Sequence, residues 1–221
     1  MRGLALLLIG AALAGGGLSA AQARKQGPAR FFPDPSEILA KEIAFSRLAR
    51  EKGQWAAYRE MAAPDAVMFV PQQVSAPLWL KGRKDTPPPV RRDARRAYVS
   101  CDGRLAAATG TWQGAAGEQG YFTTIWRRTP KGEWQWVLDH ADRLETPRDH
   151  GDALEGHVAS CRGLKREAPS VANPKQAAPP LDDSLRWNYD VAADGSREIR
   201  VSIWNGAAYD SVIDDRVAAP R

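Results

Sequence analysis

The stretch that decides the fold runs from Gly120 to Arg143: Gly120-Tyr121-Phe122-Thr123-Thr124-Ile125-Trp126-Arg127-Arg128, then Thr129-Pro130-Lys131-Gly132-Glu133, then Trp134-Gln135-Trp136-Val137-Leu138-Asp139-His140-Ala141-Asp142-Arg143. Both arms are rich in aromatic and β-branched residues, which suit a pleated surface. The Pro130 to Gly132 segment between them supplies turn chemistry. The segment therefore reads as a hairpin. A turn that pairs Arg127 with Trp134 sets Ile125 opposite Trp136, Thr123 opposite Leu138 and Tyr121 opposite His140, all on one face. The other face then carries Phe122, Thr124 and Trp126 with Gln135, Val137 and Asp139. Asp139 and His140 are expected to point to opposite sides.

Upstream the pattern is helical. Asp34 can cap, Pro35 suits the first helical position, and Glu37 stands where a capping box puts its carboxylate. Ile38, Phe45, Leu48 and Ala49 recur at helical spacing until Gly53, which leaves Lys41, Glu42, Arg47 and Arg50 for the wet side. A second helix from Gln54 to Ala62 carries Trp55, Tyr58 and Met61. Ala66 to Val70 is then extended, and 71 to 93, with Pro71, Pro77 and Pro87 to Pro89, reads as an irregular surface loop. Strands follow over Ala97 to Cys101 and Leu105 to Gln113, joined at Asp102-Gly103.

The expected fold class is thus α+β: N-terminal helices packed in a strongly curved antiparallel sheet, with a C-terminal three-stranded β meander. That meander alternates Leu185, Trp187 and Tyr189, then Ile199, Val201 and Ile203, with turns at Asp194-Gly195 and Asn205-Gly206. Three short strands are marginal alone, so the Trp187 face is expected to dock on the main domain or on a partner. The organisation read from these patterns is 1–23 signal peptide, 24–162 main domain, 163–182 Pro/Ala-rich linker and 183–221 meander.

Met1 and Arg2, the apolar run Leu4 to Leu13 and Ala21-Gln22-Ala23 form a secretory signal with an A-x-A cleavage site. The run breaks at Gly15-Gly16-Gly17, short of the ~20 apolar residues of a membrane span. The expected location is periplasmic or secreted. Export makes a disulfide between Cys101 and Cys161, the only two cysteines, the default expectation. The 221 residues carry 43% hydrophobic and 26% charged content, which excludes wholesale disorder and a multi-span membrane protein. A net charge of +5 falls short of a dedicated nucleic-acid binder.

Asp65-Ala66-Val67, Gly110-Thr111-Trp112, Gly120-Tyr121 leading to Trp126-Arg127-Arg128, Gly132-Glu133-Trp134-Gln135-Trp136 and Val137-Leu138-Asp139 occur in an order that resembles the nuclear transport factor 2-like superfamily. The resemblance is to its SnoaL-like and ketosteroid-isomerase-like branch and covers residues 35–143. It implies a cone-like half barrel open at one end, in a superfamily that includes isomerases, cyclases, dehydratases and non-enzymatic ligand-binding or dimerising proteins. Fold therefore leaves function open.

Tyr58, Phe69, Trp112, Tyr121, Trp126 and Trp136 are the expected pocket residues. If the cone is catalytic, the candidates are Asp139, Tyr58, Tyr121 and His140, with Asp139 abstracting a proton next to a carbonyl and a Tyr donating. The same residues as core filling and a strand-end carboxylate give a non-catalytic domain, which is the favoured reading, with a small hydrophobic ligand as candidate occupant. A dimerising interaction module is the further alternative. Arg83, Lys84, Arg91, Arg92, Arg95 and Arg96, with Lys81, form a basic run opposed only by Asp85 and Asp93, a candidate for anions or an anionic lipid surface. His140, His150 and His157 match no metal-ligand spacing, and no cofactor fingerprint is present, so neither metal nor cofactor is expected. His157, four residues before Cys161, is too weak a signal for a catalytic thiol.

Overall fold

A computed structural model describes residues 31–85, 88–146, 148, 151, 153–164 and 182–219. The expected signal segment and most of the expected linker lie outside these residues, as do Asp149 and His150.

Helix α1 spans Pro35–Lys52 and α2 spans Gln54–Met61. Asp34 caps α1 by accepting from the Ser36 amide, with Pro35 in the first turn. Glu37 does not close a capping box. Its carboxylate instead takes the Arg128 guanidinium and, at 2.8 Å, the Trp134 indole N–H. Gly53, at φ 108°, makes the corner between the helices.

The main sheet has seven strands: β1 (Ala62–Phe69), β2 (Gln73–Ser75), β3 (Arg91–Val99), β4 (Leu105–Gln113), β5 (Gln119–Arg128), β6 (Trp134–Arg143) and β7 (Glu155–Val158), in the order β2-β1-β6-β5-β4-β3-β7. It is mixed rather than purely antiparallel, because β1 runs parallel to β6 and β7 parallel to β3. Parallel partners are distant in sequence and leave no turn signal, so neither pairing was expected. The segment 71–93 is not wholly irregular either. It holds β2 and a five-residue helix, α3 (Ala76–Leu80), and β3 begins at Arg91, six residues earlier than expected.

The hairpin forms with a register that differs from expectation. Thr123 pairs with His140, Thr124 with Asp139 and Ile125 with Leu138, while Trp126 pairs with Trp136. The shift between Ile125 and Trp126 leaves Val137 as the extra residue of a bulge. The Asp139 end keeps the predicted faces. Beyond the bulge Trp136 turns to the helix side beside Trp126 instead of sharing a face with Ile125.

Two glycines admit close approaches. A Cβ on Gly110 would collide with the backbone of Asp93 and Ala94 across the irregularity in β3, and one on Gly120 with the Asp142 carbonyl and the Trp112 indole. The Trp112 N–H lies over Gly120 and donates to that carbonyl at 3.0 Å.

Strands β8 (Leu185–Val191), β9 (Arg197–Trp204) and β10 (Tyr209–Val217) form the separate antiparallel sheet, in the order β10-β9-β8. Leu185, Ile199, Val201 and Ile213 belong to the same buried cluster as Ile125 and Leu138, and Trp187 and Tyr189 pack against it. The meander therefore covers the sheet face turned away from the helices, through its Trp187 side. The disulfide Cys101–Cys161, with Cα atoms 5.3 Å apart, ties the β3–β4 turn to the end of β7. Beside it the Cys101 amide donates to Ser184 Oγ at 2.7 Å and the Ser160 amide to the Trp204 carbonyl at 2.7 Å.

Candidate functional site

Between helices α1 and α2 and the sheet lies a buried polar cluster. Asp139 of β6 is 5% exposed, and both of its oxygens are taken: Oδ1 accepts from the Tyr58 hydroxyl at 2.8 Å, Oδ2 from Arg92 at 2.9 Å and from Thr124 at 2.8 Å. Arg92 also donates to Tyr58 and Thr124, and its guanidinium lies 3.7 Å from the Phe122 ring centroid and 4.8 Å from that of Phe45. Its second carboxylate neighbour is Glu42, at 3.5 Å. Glu42 accepts from the Trp126 indole at 2.9 Å, while its other oxygen has no hydrogen-bond partner.

One guanidinium is therefore shared by two buried carboxylates. Asp139 accepts from three donors and Glu42 from one. Burial raises the Glu42 carboxyl above its ordinary range, against the opposing pull of Arg92. The guanidinium thus has Asp139 as its hydrogen-bonded carboxylate and Glu42 as its more distant one. Burial and the Asp139 charge likewise raise the Tyr58 phenol, which stays a donor.

Of the expected pocket residues, Tyr58, Trp126 and Trp136 meet on this side, and the Trp136 indole donates to the Tyr58 carbonyl at 3.0 Å. Trp112 shares the face, at the far end of β4. Phe69 and Tyr121 do not. The Phe69 ring packs on His140 and Tyr189, and the Tyr121 ring on His140, so both belong to the boundary with the meander. There His140 is fully buried. Its Nδ1 accepts from Arg197 at 3.2 Å, and its Nε2, 3.8 Å from Asp215, has no hydrogen-bond partner. Burial, with Arg197 and Arg148 nearby, pushes the His140 imidazole down to about 3. Asp215 accepts from Thr123 at 2.6 Å and Arg148 at 2.5 Å. The four acid–base candidates thus form two pairs on opposite faces of the sheet: Tyr58 with Asp139, and Tyr121 with His140.

The basic run is also divided. Arg92 is a core residue, Arg95 pairs with Asp93, Arg96 with Glu155, and Arg83 stacks on Trp79. Sequence reasoning missed Glu42 and misplaced Arg92. Glu42 follows Ile38 by four and precedes Phe45 by three, a position on the buried stripe that its charge disguised. Asp215 and Arg197 became visible only once the meander docked. His157 stacks on Tyr98, and Cys161 is oxidised, so they make no catalytic pair. No group of three or more His, Cys, Asp or Glu residues is placed to hold a metal among the described residues. One surface depression of about 230 Å³ lies at the Gly53 corner, and one of about 320 Å³ is lined by Arg96, Thr109, Arg148 and Asp215, next to the His140 side of the sheet.

Neither a family model nor a curated relative matches the sequence. Solved structures do. The chain is similar to a ketosteroid isomerase candidate from Parabacteroides distasonis, with 18% identity and a TM-score of 0.40 over 50% of this chain and 88% of that one. It is also similar to an NTF2-like protein of unknown function from Methylobacillus flagellatus, with 14% identity and a TM-score of 0.38 over 50% and 94%. An NTF-2 like protein of unknown function from Pseudomonas aeruginosa aligns with 18% identity and a TM-score of 0.33 over 49% and 96%. Two of the three carry an NTF2-like description, and each aligns with about half of this chain. Among the described residues no helix is long and apolar enough to cross a membrane.

Proposed function

We propose that the chain is an exported, non-catalytic domain of the nuclear transport factor 2-like kind, whose cone is closed by its own side chains and which acts through its surface. The observation that carries this reading is the occupancy of Asp139: Tyr58, Arg92 and Thr124 take both carboxylate oxygens. A general base needs a lone pair aimed at substrate. Here the lone pairs are aimed at residues of the chain. The Arg92 guanidinium, packed against Phe45 and Phe122, fills the space a small hydrophobic ligand would enter. The disulfide and the signal-like N-terminus support export. The sheet face that would otherwise offer a dimer surface is covered by β8 to β10, which weighs against the dimerising alternative.

The second reading, proton abstraction next to a carbonyl with Asp139 as base, is favoured by one contact, the 2.8 Å hydrogen bond from Tyr58. Asp139→Asn separates the two. A structural carboxylate predicts a loss of about 3 kcal/mol or more in unfolding free energy, because Arg92 is left buried without its anion. A catalytic one predicts an unchanged melting temperature, and that result would remove the packed-cone reading.

A further inference from the structure

The segment from α3 to Lys84 stands out on the surface. Leu78 is 77% exposed, and Pro77, Lys81, Arg83 and Lys84 around it are exposed as well. No carboxylate of the described residues pairs with Lys81, Arg83 or Lys84. The nearest acid, Asp85, is turned inward and engaged by the Trp55 amide and by Arg59. The segment is also held firmly. Arg59 donates to the Leu80 carbonyl at 3.1 Å and the Arg83 carbonyl at 3.0 Å, and the Arg83 guanidinium lies 3.4 Å from the Trp79 ring centroid. Trp79 in turn packs edge-on against Trp55 at 5.0 Å. A protruding leucine beside three cations that no carboxylate of the described residues neutralises, with Arg83 steadied by its bond to the Trp79 carbonyl at 3.0 Å, is thus presented on a rigid base, so little ordering remains to be done on binding.

We infer that this tip docks on an anionic phospholipid surface, with Leu78 entering the headgroup boundary and Lys81, Arg83 and Lys84 lying against lipid phosphates. Charge complementarity selects the anionic surface. The exposed Leu78 side chain, with exposed Pro77 beside it, selects a fluid bilayer, which needs no shaped counterpart, over a folded acidic protein, which would have to supply a matching pocket. The inference goes beyond the packed-cone reading and does not depend on it, since none of these side chains touches Asp139, Arg92 or Glu42.

The test is co-sedimentation of the protein, purified from an exporting host, with vesicles of phosphatidylglycerol and phosphatidylcholine and with phosphatidylcholine vesicles alone. Binding is expected to the anionic vesicles, weakened by salt. Lys81→Glu with Lys84→Glu should lower that affinity by at least about tenfold, and Leu78→Ser should lower it severalfold while leaving its salt dependence in place. All three positions are exposed, so the circular dichroism and melting temperature of the variants serve as the folding control. Absence of binding to anionic vesicles, equal binding to neutral ones, or undiminished binding by the charge-reversed variant would overturn the proposal. So would binding to a polyglutamate peptide in place of the vesicles.

Discussion

Asp139 and His140 are adjacent in β6 and serve opposite faces of one sheet: Asp139 receives Tyr58 and Arg92 on the helix side, and His140 receives Arg197 from the meander. A single strand thereby joins the helices to the C-terminal sheet through two buried polar contacts. Each contact has a separable consequence.

On the helix side, Arg92 donates to Asp139 at 2.9 Å and only approaches Glu42, at 3.5 Å. Glu42→Gln keeps an acceptor for the Trp126 indole and should change stability at neutral pH by less than about 1 kcal/mol. Arg92→Met leaves Asp139 without its cation and should cost about 3 to 5 kcal/mol. Urea unfolding of both variants measures this. A larger loss for Glu42→Gln than for Arg92→Met would contradict Asp139 as the main partner of Arg92.

The meander side predicts acid sensitivity. The folded pKa of His140, about 3, lies below the unfolded value near 6.5, so the unfolded chain binds more protons between them. Stability should fall as pH drops below about 6.5, with the loss complete near the folded value. Burial, and after it the charges of Arg197 and Arg148, lowers the imidazole, while Tyr121 and Asp215 are its other polar neighbours. His140→Gln should flatten that part of the pH profile of the melting temperature. An unchanged slope between pH 7 and pH 4 would contradict the buried, neutral imidazole.

Much of this arrangement was legible in the chain. The aromatic, β-branched arms on either side of Pro130 and Gly132 announced the hairpin, and their alternation already separated Asp139 from His140. Asp34 and Pro35 announced the first helix, and Asn205-Gly206 the last turn. What escaped was set by contacts distant in sequence. The bulge at Val137 moved Trp136 to the helix side, and the two parallel pairings carry no turn signature. Arg92 reads like the other cations of its run until β3 is known to begin at Arg91. Glu42 sat on the apolar stripe, but a charge on such a stripe is buried only when a partner such as Trp126 or Arg92 waits there.

The disulfide closes a sequence separation of 60 residues at the junction with the meander. The chain-entropy account gives such a loop roughly 4 kcal/mol. Thiol titration of the denatured, unreduced protein should find no free thiol, and reduction should lower the melting temperature by several degrees. Two titratable thiols would contradict the bond.

Gly120 provides the room in which Trp112 crosses to the Asp142 carbonyl. Gly120→Ala should destabilise by about 1 to 3 kcal/mol through overpacking. Gly117→Ala tests the other glycine cost, because a Cβ there meets nothing within 4 Å and only the backbone at φ 87° resists it. If thermal melts show Gly120→Ala to be no worse than Gly117→Ala, the close approach at Gly120 does not matter.

In the proposed reading, the space between α1, α2 and the sheet is filled by Arg92, Phe45, Phe122 and Trp126 of the chain itself. Native mass spectrometry of the protein purified from its exporting host, under conditions that retain small ligands, tests it most directly. The expected mass is that of the disulfide-bonded polypeptide alone. A reproducible added mass that disappears in a Trp126→Ala variant that stays folded would show a ligand inside the cone and contradict it.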